Sequence, residues 1–272
     1  MDVSYALFFD VDGTLVSFRT HRVPVSALEA LSEAKAHGHR IFISTGRPLQ
    51  WVHTEALEPV LPLADGLITV HGASATVGRH EVLTGAALNP RDVEILLEDA
   101  LVQDYPAIVV GKQHIALFNE KPIVRRLFFE ILQIRDFEFP TYVADDFMGE
   151  DILQISPFLD VTQEQAIMPR LSHAVSTRWH PAFSDVTAQR ATKGNALRAV
   201  MHYLEEQVPT AARPLRSIAF GDGGNDISML VEADIGVALG NAGEEVKQAA
   251  DYTTASVDDD GIAHALRHFS II

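Results

Sequence analysis

The sequence contains no cysteine. That excludes a disulfide framework, a thiolate metal site and a cysteine nucleophile, and it fits a reducing compartment. No run approaches the roughly 18 apolar residues of a membrane span. The opening stretch MDVSYALFFDVDG has no basic region and meets Asp10 after a handful of apolar residues, so neither a secretory leader nor an anchor is read there and a cytoplasmic location is expected. Basic residues are scarce, 21 Lys and Arg against 37 Asp and Glu, a net charge of −16 with a pI near 5.0. A field of that sign repels a phosphate backbone and no basic patch is visible, so no nucleic-acid partner and no membrane partner is expected.

What is present is enough for a proper core: 272 residues, 47% of them hydrophobic, long enough for two domains at about 150 residues each. Short apolar runs bounded by Gly, Asp or Ser recur at Tyr5–Phe9, Arg40–Ser44, Gly66–Val70, Arg216–Phe220 and Ile235–Leu239, with helical patterns before most of them. This is the rhythm of a buried parallel sheet. Ser26 with Glu29 three residues on reads as a capping box opening a helix that Gly38 stops. Between about Glu81 and Thr187 the pattern changes. Helical stretches at Pro90–Tyr105, Lys121–Leu132 and Thr162–Leu171 are interspersed with strand-like Ala107–Val110, His114–Phe118, Ile152–Ser156 and Ala174–Trp179, which suggests an antiparallel sheet with helices on one face. The expected fold is α/β: a doubly wound, mostly parallel sheet core over 1–81 and 188–272, with an inserted α+β domain over 82–187.

In an open α/β sheet, ligands sit beyond the carboxyl ends of the strands. Four of the five apolar runs end there in suggestive chemistry: Asp10-Val11-Asp12-Gly13-Thr14, Thr45-Gly46-Arg47, His71-Gly72-Ala73-Ser74 and Gly221-Asp222-Gly223-Gly224-Asn225-Asp226. Asp10, Asp12, Asp222 and Asp226 on one rim would repel one another by about 4 kcal/mol per pair at 4 Å and an effective dielectric of 20. A cation resolves this, and oxygen-only ligands favour Mg²⁺ over zinc. The glycines of these loops let backbone N–H groups approach an anion, for which phosphate is the natural candidate. A carboxylate attacking phosphate needs a metal, a lysine and amide donors to spread the charge. Lys193, where the chain leaves the insert and begins a helix, is the candidate lysine.

In order and setting, Asp10-Val11-Asp12-Gly13-Thr14-Leu15, Ser44-Thr45-Gly46-Arg47, Lys193 and Gly221–Asp226 resemble the four motifs of the haloacid dehalogenase superfamily. The insert resembles the large cap of its Cof-type branch, whose members are mostly Mg²⁺-dependent sugar-phosphate phosphatases. The likeness covers the whole chain, and 8–16, 178–179, 181–183 and 220–230 are especially close to a hexose phosphate phosphatase of that branch. The resemblance implies that Asp10 attacks phosphorus and that Asp12 protonates the leaving alcohol and later deprotonates water. It implies Mg²⁺ held by Asp10, the backbone carbonyl of Asp12 and Asp222, with Asp226 nearby and Asn225 orienting the site. Thr45, the Gly46 amide and Lys193 would hold the phosphoryl oxygens. Where the branch commonly has Asn-Gly-Ala after the third strand this chain has His71-Gly72-Ala73, which leaves the role of His71 open. The expected partner is a small phosphorylated metabolite, and the chain is expected as a monomer or small homo-oligomer. A phosphomutase with the same site and a phospho-acceptor signalling module remain alternatives.

Other residues carry weaker expectations. In the insert, His114, Asn119, Trp179, His180 and Asp185 are candidates for recognising sugar hydroxyls, while Phe128 and Phe129 read as core. Thr45 could also cap a helix ahead of Pro48, and Arg47 reads as structural. His264 and His268 have the i, i+4 spacing of metal ligands but read as a surface helix face, and Asp258-Asp259-Asp260 as a solvated turn.

Overall fold

The computed structural model describes residues 4–83, 86–128, 140–142, 147, 149–207 and 215–272, except for the side chain of Trp179. In chain order the elements are β1 (Ser4–Phe9), α1 (Val25–Ala36), β2 (Arg40–Ser44), β3 (Gly66–Thr69), β4 (Ser74–Val77), β5 (His80–Glu81), α2 (Pro90–Val102), β6 (Ala107–Gly111), β7 (Ile115–Phe118), α3 (Pro122–Arg126), β8 (Ile152–Pro157), α4 (Val161–Ile167), β9 (Ala174–His180), β10 (Phe183–Ala188), α5 (Lys193–Gln207), β11 (Leu215–Gly221), α6 (Ile227–Glu232), β12 (Ile235–Ala238), α7 (Glu244–Ala249), β13 (Tyr252–Thr253) and α8 (Gly261–His268). They divide into two compact units, Met1–Thr84 with Ala191–Ile272, and Gly85–Arg190.

The first unit is built on a sheet of order β13-β12-β11-β1-β2-β3-β4-β5. The six strands from β13 to β3 are mutually parallel, and β4 and β5 add an antiparallel edge. Both sheet faces are covered, so successive residues of one strand enter different cores. Leu7, Phe9, Ile41, Ile43, Ile218 and Phe220 pack with Ala27 and Leu31 of α1 and Leu266 of α8. Ala6, Phe8, Phe42 and Ala219 pack on the other face with Leu197 and Val200 of α5 and Met229 and Leu230 of α6. Phe8 stacks on Phe42 and Phe9 on Phe220, at centroid distances of 4.9 and 4.5 Å. Each such buried side chain contributes about 1.5–3 kcal/mol. β1 lies at the switch point, with β2 on one side and β11 on the other, so the loops leaving all three strands share one rim.

The second unit has a sheet of order β7-β6-β8-β10-β9, antiparallel throughout. Leu96 and Ala100 of α2 and Ile167 of α4 pack against Ala107, Ile155 and Val186. Phe128 is buried against Phe158 and Phe183, whereas Phe129 and 130–132 of the expected helix lie outside the described residues.

The doubly wound core with an α+β insert is the fold class expected from the pattern, and several local readings need correction. Ser26 does not cap α1. The N-cap is Pro24, and the Ser26 hydroxyl instead donates to Asp260 Oδ1 at 2.5 Å. Asp258–Asp260 is therefore not merely a solvated turn: Asp258 accepts from Ser17 Oγ (2.7 Å) and Arg19 Nη2 (3.0 Å), anchoring the loop after β1. The pattern over Thr162–Leu171 breaks into α4 and a short 3-10 turn at Met168–Arg170, because Pro169 cannot continue an α-helix. The β4–β5 hairpin and β10 are strands that the pattern reading did not anticipate.

Candidate active site

Asp10 follows β1 directly, and its amide extends the ladder by donating to Phe220 O at 3.0 Å. Lys193, the first residue of α5, is 1% exposed. Its Nζ donates to Asp10 Oδ1 (2.5 Å), Asp226 Oδ1 (2.6 Å) and the Ser44 carbonyl (2.9 Å), so all three donors of the ammonium are used. The other oxygen of Asp226 accepts from the amides of Asp222 and Gly223, at 3.0 and 2.9 Å. Asp226, itself fully buried, thus joins the lysine to the loop that presents Asp222.

Asp222 stands nearby with its Oδ1 accepting from Thr14 Oγ1 at 2.8 Å. Only glycine fits at position 13, whose φ is +95° and where a Cβ would come within 2.1 Å of Asp222 Oδ2. Carboxylate oxygens of Asp10, Asp222 and Asp226 lie within 4.8 Å of one another, and this trio suits a metal ion. Burial raises the Asp10 carboxyl well above the usual range, with Asp226 adding to the rise and Lys193 opposing it. Burial likewise pushes Asp222 up to about 6, opposed by Thr14 and reinforced by Asp226. Burial disfavours the Lys193 charge, but Asp10 and Asp226 outweigh it and raise its pKa. One ammonium among three carboxylates leaves an excess of negative charge, and an all-oxygen donor set fits a hard divalent cation.

Asp12 is not in that trio. Its side chain is 43% exposed and gripped by Arg47, Nε to Oδ2 at 3.0 Å and Nη2 to Oδ1 at 2.6 Å. The Arg47 side chain, read from sequence as structural, therefore holds a predicted catalytic carboxylate. Thr45, buried after β2, accepts the Arg47 amide on Oγ1 at 3.1 Å. It does not cap the short helix Leu49–Trp51, whose N-cap is Pro48.

His71 lies against the same loop. Val70 and His71 have left-handed backbones, φ +51° and +54°, conformations that are costly for side-chain-bearing residues. Both are pinned, Val70 N donating to Arg47 O at 3.1 Å and His71 N to Thr45 O at 3.2 Å. The imidazole covers Gly46, where a Cβ would meet His71 Cε1 at 2.5 Å. Asn225 is exposed on the turn Gly224–Asp226.

Of the residues expected to recognise sugar, His114, Asn119, His180 and Asp185 are each held locally in the second unit. His114 Nδ1 pairs with Glu150 at 2.7 Å. His180 stacks on Phe183 and accepts the Ala182 amide at 3.1 Å. Asp185, in β10, is buried and accepts from Gln154 (2.9 Å) and Ser156 (2.7 Å). Asn119 braces the carbonyls of Ala100 and Tyr105 at 3.3 and 3.1 Å. The Trp179 side chain lies outside the described residues. In the first unit, His268 stacks on Tyr252 at 4.3 Å and His264 is exposed, as a surface helix requires.

Asn241, in the loop after β12, is not among the residues expected from sequence, yet its side chain reaches both Gly13 and Asp222. The signal was available in Gly240-Asn241, a polar step closing a parallel apolar run.

The family model for haloacid dehalogenase-like hydrolases matches residues 7–266. Among curated proteins, the putative phosphatase YkrA of Bacillus subtilis is 27% identical over 273 residues, covering 99% of each chain. The solved HAD subclass IIB sugar phosphatase BT4131 is 38% identical, covering 99% of this chain and all of its own, with a TM-score of 0.83. The phosphatase BT1666 of Bacteroides thetaiotaomicron is 33% identical, covering 99% and 96%, with a TM-score of 0.82. Among the described residues, no helix is long and apolar enough to cross a membrane.

Proposed function

This chain belongs to the haloacid dehalogenase-like hydrolase family and is a phosphatase of that family, and from this premise we propose that it hydrolyses a small phosphorylated metabolite, a hexose or related sugar phosphate, through an aspartyl-phosphate on Asp10. The observation that carries the reading is the Lys193 ammonium, bonded to Asp10 and Asp226 with the Asp222 carboxylate beside them.

Asp10 forms the new bond to phosphorus as the ester P–O bond breaks, and the electron pair leaves on the alcohol oxygen, which takes its proton from the Asp12 carboxyl. Asp12, now a carboxylate, takes a proton from water as that water attacks phosphorus and the Asp10–phosphorus bond breaks. Thr45, the Gly46 amide and Asn225 hold the phosphoryl oxygens, while Lys193, its three donors already on Asp10, Asp226 and the Ser44 carbonyl, and the α5 N-terminus supply positive charge beside them. Asp10, the Asp12 carbonyl and Asp222, with Asp226 behind, would hold Mg²⁺, which would supply the charge neutralisation that two approaching anions need. Substrate choice is assigned to the inserted unit Gly85–Arg190.

A panel of phosphorylated sugars, cofactors and nucleotides, ranked by kcat/KM with Mg²⁺ and with EDTA, tests this reading. It calls for multiple turnover, loss of activity in EDTA and hexose phosphates at the head of the ranking. A single burst ending in stable phosphoprotein, or turnover indifferent to EDTA, contradicts it.

A further inference from the structure

Asn241 occupies a place that three different segments define. Leu239 N donates to Gly221 O at 3.0 Å, which continues the β11–β12 pairing and fixes the register of the two loops that follow. The next residue, Gly240, lets the segment 254–256 pass closely, since a Cβ there would lie 2.7 Å from Ser256 N. The carboxamide is oriented without ambiguity. The Val257 amide can only donate, and it points at the Asn241 side chain at 2.9 Å, so the acceptor there is Oδ1. The Nδ2 group therefore faces the other way, donating to the Gly13 carbonyl at 2.9 Å and to Asp222 Oδ2 at 3.2 Å.

Those two acceptors belong to separate elements, the loop after β1 and the loop after β11. Thr14 Oγ1 ties the same two loops from the other carboxylate oxygen, Asp222 Oδ1. Asp222 is thus held at both oxygens, and one of the two holders comes from a strand end outside the four sequence motifs. An aspartate at position 241 would set a further negative charge beside Asp222, whereas the neutral amide offers a donor.

We infer that Asn241 is a positioning residue for the divalent cation, fixing Asp222 and the Gly13 turn at the spacing the cation requires. This rests on the reading that Asp222 is a cation ligand. Hydrogen-bond partners behind a metal ligand typically change metal affinity by about 10- to 100-fold when removed.

The test is direct titration with Mn²⁺ in place of Mg²⁺, following the free-ion paramagnetic resonance signal of the whole chain without substrate, with melting in EDTA as the control for folding. Asn241→Ala should bind Mn²⁺ about 10- to 100-fold more weakly than the parent while melting close to it in EDTA. Should that variant fail to fold, Asn241→Ser is polar but too short to reach Gly13 or Asp222, and it is measured in the same way. Parental affinity in a folded Asn241 variant overturns the inference. Asp222→Asn is titrated alongside: if the parent shows no saturable Mn²⁺ binding, or Asp222→Asn binds like the parent, the cation reading itself fails. Loss in Asp222→Asn without loss in the Asn241 variants defeats the positioning role alone.

Discussion

Arg47 grips Asp12 with two parallel hydrogen bonds, 3.0 Å from Nε and 2.6 Å from Nη2, using both carboxylate oxygens at once. Both side chains are partly exposed, and pairs of that kind contribute about 0–1 kcal/mol to stability. Stability is therefore a weak reason for the contact, and orientation of a proton-transferring carboxylate is a stronger one. A bidentate guanidinium fixes the plane of the carboxylate in a way the single point charge of lysine does not.

Arg47→Lys should accordingly melt within a few degrees of the parent and lose activity unevenly. Alkyl phosphates need a proton on the departing oxygen, and their kcat/KM should fall by about 10- to 100-fold, the scale of a misplaced general acid. Aryl phosphates, whose leaving groups depart more readily as anions, should lose much less. Equal losses for both classes would show that Arg47 does not act through Asp12.

The sheet was largely legible because a parallel sheet buries both faces: Tyr5–Phe9 is a continuous apolar run, Arg216–Phe220 ends in one at Ile218–Phe220, and these ranges differ from β1 and β11 by no more than one residue at either end. Asp10, Asp222 and Asp226 were legible because charged residues just beyond such runs have few structural reasons to be there, and Lys193 because it stands where the chain leaves the insert and begins a helix. Contacts decided by side-chain reach were not. Nothing in the spacing of Arg47 and Asp12, or of Asn241 and Asp222, tells that these pairs meet, since both depend on how loops from different strands fold over the rim. Ser26 had the right neighbours for a cap, but the helix starts one residue earlier, at Val25, and the Ser26 hydroxyl meets Asp260 instead.

Gly46 and His71 should behave as one unit. Gly46→Ala places a methyl in the imidazole and should displace the loop that carries Thr45 and Arg47. His71→Ala vacates that space, so the double variant should be more active than the two single losses combine to predict, by a coupling of about 1–2 kcal/mol in a double-mutant cycle on kcat/KM. Additive losses would mean that the loop adapts without involving the ring.

Removing the buried lysine should be costly to the fold. Lys193→Met leaves Asp10 and Asp226 without their shared cation, and breaking a buried pair typically costs about 3–5 kcal/mol. Urea unfolding in EDTA at pH 7.5 measures this, and Mg²⁺ should restore part of the loss. A loss below about 1 kcal/mol, the size typical of an exposed ion pair, would contradict the picture of a tightly charged pocket.

Asp222 predicts a pH signature. Its carboxyl titrates at about 6 in the folded chain against an ordinary 3.8, because burial disfavours the ionised form. The folded state therefore binds this proton more tightly than the unfolded state. The resulting stabilisation is complete below about 3.8 and is lost as pH rises through about 6. Asp222→Asn cannot ionise, so in EDTA its melting temperature should exceed that of the parent at pH 7.5 by a margin that narrows towards pH 5. A margin constant across that window would show that the carboxyl is not perturbed.

The central claim is that Asp10 itself carries the phosphoryl group. Asp12→Asn, mixed with an aryl phosphate and Mg²⁺, acid-quenched within the first turnover and mapped by peptide mass spectrometry, should hold phosphate on Asp10 in near-stoichiometric amount, because hydrolysis of that bond lacks its base. Aryl alcohol released under those conditions with no phosphate on Asp10, or with the phosphate on another residue, would contradict the account.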